Sequence, residues 1–356
     1  GDANIAVGYR ALYTFAADTP DHGYNTAVGY NAGEFVSTGT GNTFIGALAG
    51  EGINAAGDGS DNLTGDNNIA VGYQAGEDLQ GAAQQNVFMG FQAGHEIKTG
   101  ATNTAIGNQC LSSADNNESR NVAIGNAALY LMDGDTQYTQ NVAVGVTAGY
   151  QITTGINNTH VGHAAGFGNG TAAGGDHNAT LGYFAGYNLQ GAAHSNTFVG
   201  ALAGNTTTTG IENTIIGYNC EAEDATATKQ IVIGVALNGT ADDAVFIGDD
   251  GDHIRCDWGS DATWDKVSDK RKKNVLGDSS LGLDFINDLN TVQFTFKAPS
   301  EYPKEWTSYN KDKKEPRNTE VQHGLLAQDV KKAMDNVGID TFSGWSEDPD
   351  GCQRIG

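Results

Sequence analysis

One pentapeptide returns fourteen times in this chain, and no other feature constrains the fold as strongly. It reads Asn, two mostly small or apolar residues, an aliphatic residue, then Gly, as in Asn4-Ile-Ala-Val-Gly8, Asn25-Thr-Ala-Val-Gly29, Asn42-Thr-Phe-Ile-Gly46 and Asn68-Ile-Ala-Val-Gly72. It continues from Asn86, Asn103, Asn121, Asn141, Asn158, Asn178, Asn196 and Asn213, and two degenerate copies, at Gln230–Gly234 and Ala244–Gly248, close the series. Successive Asn positions are 17 to 26 residues apart. Such a unit is too short for a strand–helix–strand turn and carries no 3.6-residue periodicity, so each copy predicts a short strand ended by a turn at Gly. The longer units hold polar Gly/Asp/Thr inserts, which belong in loops on the rim.

Stacked copies of this kind make a parallel β-solenoid in which each coil pairs only with its neighbours. The recurrent Asn predicts a hydrogen-bonded side-chain ladder along the stack. Fourteen coils at about 4.8 Å each give a rod on the order of 65 Å long. A second fixed position lies three residues after the motif Gly. It is Ala at 11, 32, 49, 75, 93, 128, 148, 165, 185 and 203, Cys at 110 and 220, and usually precedes Gly. Small residues there predict close backbone approach, with the two cysteines standing in for Ala as small buried hydrophobes. The apolar core expected of one coil is then mainly the aliphatic residue before Gly plus an occasional Phe, Tyr or Leu. So thin a core predicts several chains sharing one axis.

Composition enters where partners are concerned. Residues 1–267 hold 6 Lys/Arg against 28 Asp/Glu, a balance of −22, whereas residues 268–356 hold 13 against 15. The acidic part argues against a nucleic-acid phosphate backbone, and no apolar run reaches the roughly 18 residues of a membrane span. With 50 Gly but only 5 Pro and no Gly at every third residue, collagen is excluded. The opening Gly1-Asp2-Ala3, without Met or a signal peptide, reads as a fragment. Aspartates in the inserts, among them Asp58, Asp61 and Asp66, suit Ca²⁺, and turn composition accounts for them equally. No cofactor is otherwise indicated.

The texture changes after Trp258. A helix is expected over 278–290, capped by Asp278 with Leu281, Phe285 and Leu289 on one face. A strand follows with Val292, Phe294 and Phe296 alternating, and after His323-Gly-Leu-Leu-Ala-Gln-Asp-Val330 comes a helix with Val330, Met334 and Val337 on one stripe. By pattern this is a small α+β module. The expected division is therefore 1–248 solenoid, 249–267 junction and 268–356 C-terminal domain.

The repeats resemble those of trimeric autotransporter adhesin heads, which are left-handed parallel β-rolls, and more closely the Asn-Thr-Ala-Val-Gly-Tyr-x-Ala-Gly repeats of viral and phage fibres. The C-terminal pieces, Ser268-Asp-Lys-Arg-Lys-Lys273 and Gly324-Leu-Leu-Ala-Gln328-Asp-Val330, resemble the intramolecular chaperone of phage tailspikes and tail fibres, the endosialidase type. The resemblance implies a module that trimerises, guides folding of the fibre before it, and cuts itself off before the motif serine. Carried over, Val267–Ser268 is the scissile bond, Ser268 the nucleophile and Lys273 the general base, with Asp269, His323 and Gln328 as supporting residues. A lysine amine serves as base once burial and the cations at 270–272 strip its proton. The chain stops at Gly356, before the long C-terminal helices such a family carries.

Together the two resemblances imply a virion tail-fibre segment acting outside the cell. Its implied partners are two further copies of itself, a host surface receptor and other tail proteins, with no nucleic acid and no membrane span. A glycan-degrading tailspike is the alternative of a different class, although no recurring carboxylate pair is visible; a bacterial trimeric surface adhesin is the third. At most the chain is a single-turnover autoprotease.

Overall fold

In the computed structural model, the described residues are 3–355 apart from 17–22, 54–56, 58, 115–116, 133–138, 170–174, 251, 259–263, 267–280, 305, 307–308, 317–318, 341, 343–344 and 348–350. The chain divides into two compact units, Gly1–Val267 and Ser268–Gly356.

The first unit is the expected parallel β-solenoid. Each of the fourteen motif copies forms one strand, from β1 (Ile5–Val7) to β14 (Ala244–Asp249), so fourteen strands bound about thirteen turns. Every strand pairs in parallel with the next, and the motif positions stay in register despite inserts of different length. Register holds because the motif Asn residues, half-buried at Asn4 and buried from Asn25 to Asn213, each reach the following coil. Asn25 Oδ1 accepts from Asn42 N at 2.8 Å, and the same bond repeats at every coil to Gln230 N on Asn213 Oδ1 at 3.0 Å. Most of the amide groups also donate to a loop carbonyl, as Asn86 Nδ2 does to Gly100 O at 2.8 Å. A slip of one residue would orphan this buried column, so the ladder specifies register. In the segment expected as a junction, strands at His253–Asp257 and Trp264–Lys266 continue the sheet in antiparallel sense and end the parallel stack.

The ladder also decides what faces inward, and here the sequence expectation is corrected. Side chains alternate along a strand. With Asn pointing in, the strand's middle residue also points in and the aliphatic residue before Gly points out. The buried set is therefore Ala27, Phe44, Ala70, Phe88, Ala105, Phe198, Ile215, Val232 and Phe246, together with the Ala/Cys column. Of the fourteen aliphatic or Met residues before Gly, nine are at least 36 % exposed and the others are half-buried.

The two glycine columns have different causes. A Cβ on the motif glycine Gly46 (φ 135°) would collide with the carbonyl oxygen of Gly72 on the next coil, a backbone-to-backbone approach. At Gly50 the obstacle is the buried Phe44 ring instead. At two coils with Ala at the strand centre, Ala105 and Ala123, the corresponding position holds buried Leu111 and Leu129, so volume is traded within the coil. At Ala27, Ala70 and Ala143 it stays Gly, because Phe44, Phe88 and Leu129 of a neighbouring coil reach over Gly33, Gly76 and Gly149. Cys110 and Cys220 are buried in the Ala column, as expected.

The apolar core is not continuous. One cluster runs from Ala27 to Ile152 and another from Ala185 to Phe246. Between them the strand centres are His160 and Thr180, both buried and hydrogen-bonded to each other at 2.8 Å.

In the second unit, a helix at Leu283–Asp288 (α1) and one at Ala327–Asn336 (α2) pack around Phe285, Val330, Ala333 and Met334. The first helix is shorter than expected. It starts after Gly282, while Leu281 and Leu289 flank it and still pack on the core; Asp278, the expected cap, lies outside the described residues. The strand Thr291–Phe294 pairs antiparallel with Gln322–Leu325 and does not extend to Phe296, whose ring meets Phe294 edge-on at 5.5 Å. A second hairpin joins Trp345–Glu347 and Gln353–Ile355.

Candidate functional site

Stacking in register turns residues about 17–26 apart into columns, and the outward columns are where this solenoid presents chemistry. The first is the aliphatic one, running the length of the parallel stack from Val7 to Ile247. Beside it, at the residue after the motif Gly, aromatic rings stack in pairs: Tyr9 on Tyr30 at 5.4 Å and Tyr73 on Phe91 at 5.7 Å. Ile45, Met89, Ile106, Tyr30 and Tyr73 are all exposed on the single chain. An apolar strip of this length is more than a soluble monomer ordinarily shows.

A second column lies five residues after the motif Gly and changes character along the rod. Glu34, Glu51, Glu77 and His95 follow one another, their backbones paired coil to coil by Phe35 N on Glu51 O, Gly52 N on Glu77 O (both 2.7 Å) and Asp78 N on His95 O (3.0 Å). Arg10 donates to buried Glu34 at 2.8 Å, and His95 pairs with Glu77 at 2.9 Å. Burial first, and then the negative charges of Glu77, Glu34 and Asp78, push the Glu51 carboxyl above its ordinary range. His95 is raised chiefly by its hydrogen bond to Glu77, and Asp78 is raised by burial. Further along, the same column becomes Tyr130, Tyr150, Phe167 and Tyr187, stacked at 5.2, 5.1 and 5.0 Å with planes within 12°. Their faces cover one another, so the run stiffens the stack.

Two of the three aspartates considered for Ca²⁺ are described. Asp66 Oδ1 accepts from Thr40 N and Oγ1 at 2.7 and 2.9 Å, fixing a loop to the preceding coil, Asp61 is half-buried, and Asp58 lies outside the described residues. Among the described residues no group of three His, Cys, Asp or Glu is placed to hold a metal ion. No described helix is long and apolar enough to cross a membrane. Burial pushes the Cys110 thiol up to about 12, which makes it inert as a nucleophile.

Val267, Ser268, Asp269 and Lys273 lie outside the described residues. His323 is exposed on the strand Gln322–Leu325 opposite Gln293, and Gln328 is exposed in the first turn of α2. The apolar members of that motif, Ala327 and Val330, are buried in the module's core. Its Ala and Val are thus accounted for by packing, and packing gives no reason for Gln328.

The sequence reading missed the outward columns and the polar break at His160. Both become visible once the copies are aligned on the motif Gly, because position in the coil then equals position in a column.

Residues 268–339 match the family model of the chaperone of endosialidase, which supports a C-terminal intramolecular chaperone. No curated protein and no solved structure gives a match.

Proposed function

We propose that this chain is part of a homotrimeric viral tail fibre that contacts the host surface, assembled by its C-terminal module. The observation that carries the reading is the outward apolar column: an aliphatic residue or Met faces outward on every coil from Val7 to Ile247, exposed in nine and half-buried in five, ahead of a segment resembling an assembly chaperone. Three copies turning this strip toward a common axis remove it from water, at about 25 cal/mol for each Å² of apolar area. The acidic remainder keeps the fibre soluble.

Self-cleavage at Val267–Ser268 fits the start of the family match at 268 and the division between the two compact units at the same bond. Ser268 Oγ attacks the Val267 carbonyl carbon, the C–N bond breaks and an ester forms. Lys273 takes the hydroxyl proton and passes it to the leaving amine. Water then hydrolyses the ester, leaving a Val267 carboxylate and a free Ser268 amine. The reaction runs once per chain.

Light scattering tests the trimer, which should weigh three times the 37.1 kDa chain before cleavage. Replacing Ile45, Ile106 and Ile124 by Lys should reduce it to single chains. A wild-type chain of monomer mass would sink the proposal. Intact mass tests cleavage: wild type should split before Ser268 and Ser268→Ala should stay whole. If both stay whole, the module assembles without cutting.

A further inference from the structure

The solenoid carries a polar cleft of about 420 Å³ across three consecutive coils, lined by side chains that include Gln84, Gln85, Thr99, Thr102, Asn117 and Arg120. Gln85, Thr102 and Arg120 each stand immediately before a motif Asn, those of the strands Val87–Met89, Thr104–Ile106 and Val122–Ile124. All three have left-handed backbones, with φ of 58°, 58° and 65°. Thr102 N donates to Gln84 O and Arg120 N to Ala101 O, both at 3.0 Å, so these positions rise in one column. The floor is fixed from below. Ser119 Oγ accepts from Ala101 N at 2.9 Å and donates to Asn117 O at 3.0 Å.

The lining states what such a cleft takes. Amides and hydroxyls both donate and accept, which matches sugar hydroxyls that do the same. Among the lining residues there is no aromatic and no apolar side chain larger than Ala, so an acyl chain or an apolar peptide anchor finds nothing to bury against. The volume falls within the range of small-ligand sites. Three coils span about 10 Å, the length of roughly two sugar rings. Charge selects further: one arginine sits on a unit whose balance is −22, and that field repels an anionic chain. Beyond the cleft the same column continues as Gln140, Asn157, His177 and Ser195, each again with positive φ, so an extended ligand keeps meeting polar side chains.

We propose that this cleft binds an uncharged oligosaccharide, entering along the column of Gln85, Thr102 and Arg120. The assignment rests on the host-recognition reading for its biological role, and its chemistry stands on the cleft alone.

The test is titration of the full-length protein with maltotetraose, cellotetraose, tetra-N-acetylchitotetraose and, as the acidic comparison, tetragalacturonate, followed by calorimetry and saturation-transfer NMR. At least one neutral tetrasaccharide should bind with a Kd of about 1 mM or tighter. The double variant Gln84→Ala/Gln85→Ala, and separately Thr102→Tyr filling the cleft, should weaken it at least tenfold while the melting temperature is kept. Neutral binding indifferent to both variants would place the site elsewhere and overturn the proposal. Binding of tetragalacturonate alone, or of none of the four, overturns it as well. The light-scattering mass decides the fibre reading independently of any of these results.

Discussion

Replacing Asn103 by Ala tests whether the asparagine ladder holds the solenoid together or merely decorates it. Asn103 is fully buried. Its Oδ1 accepts from Asn121 N at 3.0 Å and Asn121 Nδ2 at 3.2 Å; its Nδ2 donates to Asn86 Oδ1 at 3.1 Å and Glu118 O at 2.7 Å. Asn86 Oδ1 still accepts from the backbone of residue 103 at 2.9 Å after truncation, so it is not orphaned. The Asn121 N–H and the Asn121 Nδ2 each lose the bond they make to this side chain. At about 1–3 kcal/mol for each buried unsatisfied group, the substitution should cost about 2–6 kcal/mol.

Repeat arrays unfold in pieces, so the suitable readout is local. Hydrogen exchange at the Asn121 amide should accelerate by about 30-fold or more, which corresponds to about 2 kcal/mol. The internal control is Asn108→Ala. Asn126 Nδ2 donates to Asn108 Oδ1 at 3.1 Å in the same coil-to-coil sense, but both residues are exposed, and water replaces the lost bond at a cost of about 0.5 kcal/mol or less. Equal, small effects at 103 and 108 would refute the claim that burial gives the ladder its weight. Asn103→Asp keeps the shape but faces two acceptors, Asn86 Oδ1 and Glu118 O, with a carboxyl in place of a donor. Burial raises its folded pKa, so this variant should regain stability as pH falls.

His160 predicts the opposite pH response within the native protein. Burial lowers its pKa to about 4 from an ordinary 6.5, so between those values the unfolded chain binds the extra proton. Stability should therefore be full above pH 6.5 and fall as pH drops toward 4, with exchange at residues 159–161 rising first. His160→Phe, which puts a ring already used at Phe44, Phe88 and Phe198 into the same site, should abolish that acid dependence; persistence of the dependence would assign it to other groups. Gly46→Ala should disturb stacking between the coils of Gly46 and Gly72, because the added carbon meets the Gly72 carbonyl in a φ 135° backbone. Circular dichroism should record a lower melting temperature, and an unchanged one would contradict the close approach. Cys110→Ala should cost about 1 kcal/mol or less, since Ala fills that column in most coils.

Much of the architecture was open to reading from residues 4–248 alone. A 17-residue floor with Asn and Gly at fixed offsets admits a stacked coil, the Asn has to spend its amide on a neighbouring copy, and small residues must fall where chains approach. The C-terminal elements were legible in kind but not in extent: the Leu281, Phe285 and Leu289 stripe packs as expected although only Leu283–Asp288 is helical, because flanking apolar residues reach the same core without helical backbone. Tertiary structure alone decided parity. The inward Asn, buried to satisfy the next coil's N–H, sends the aliphatic residue three positions further along the strand to the outside, which hydrophobicity by itself would place within. Stacking alone likewise brought Gln85, Thr102 and Arg120 into one cleft and Glu34, Glu51 and Glu77 into one column, since residues a coil apart in sequence become neighbours only when the sheet closes about 4.8 Å between them.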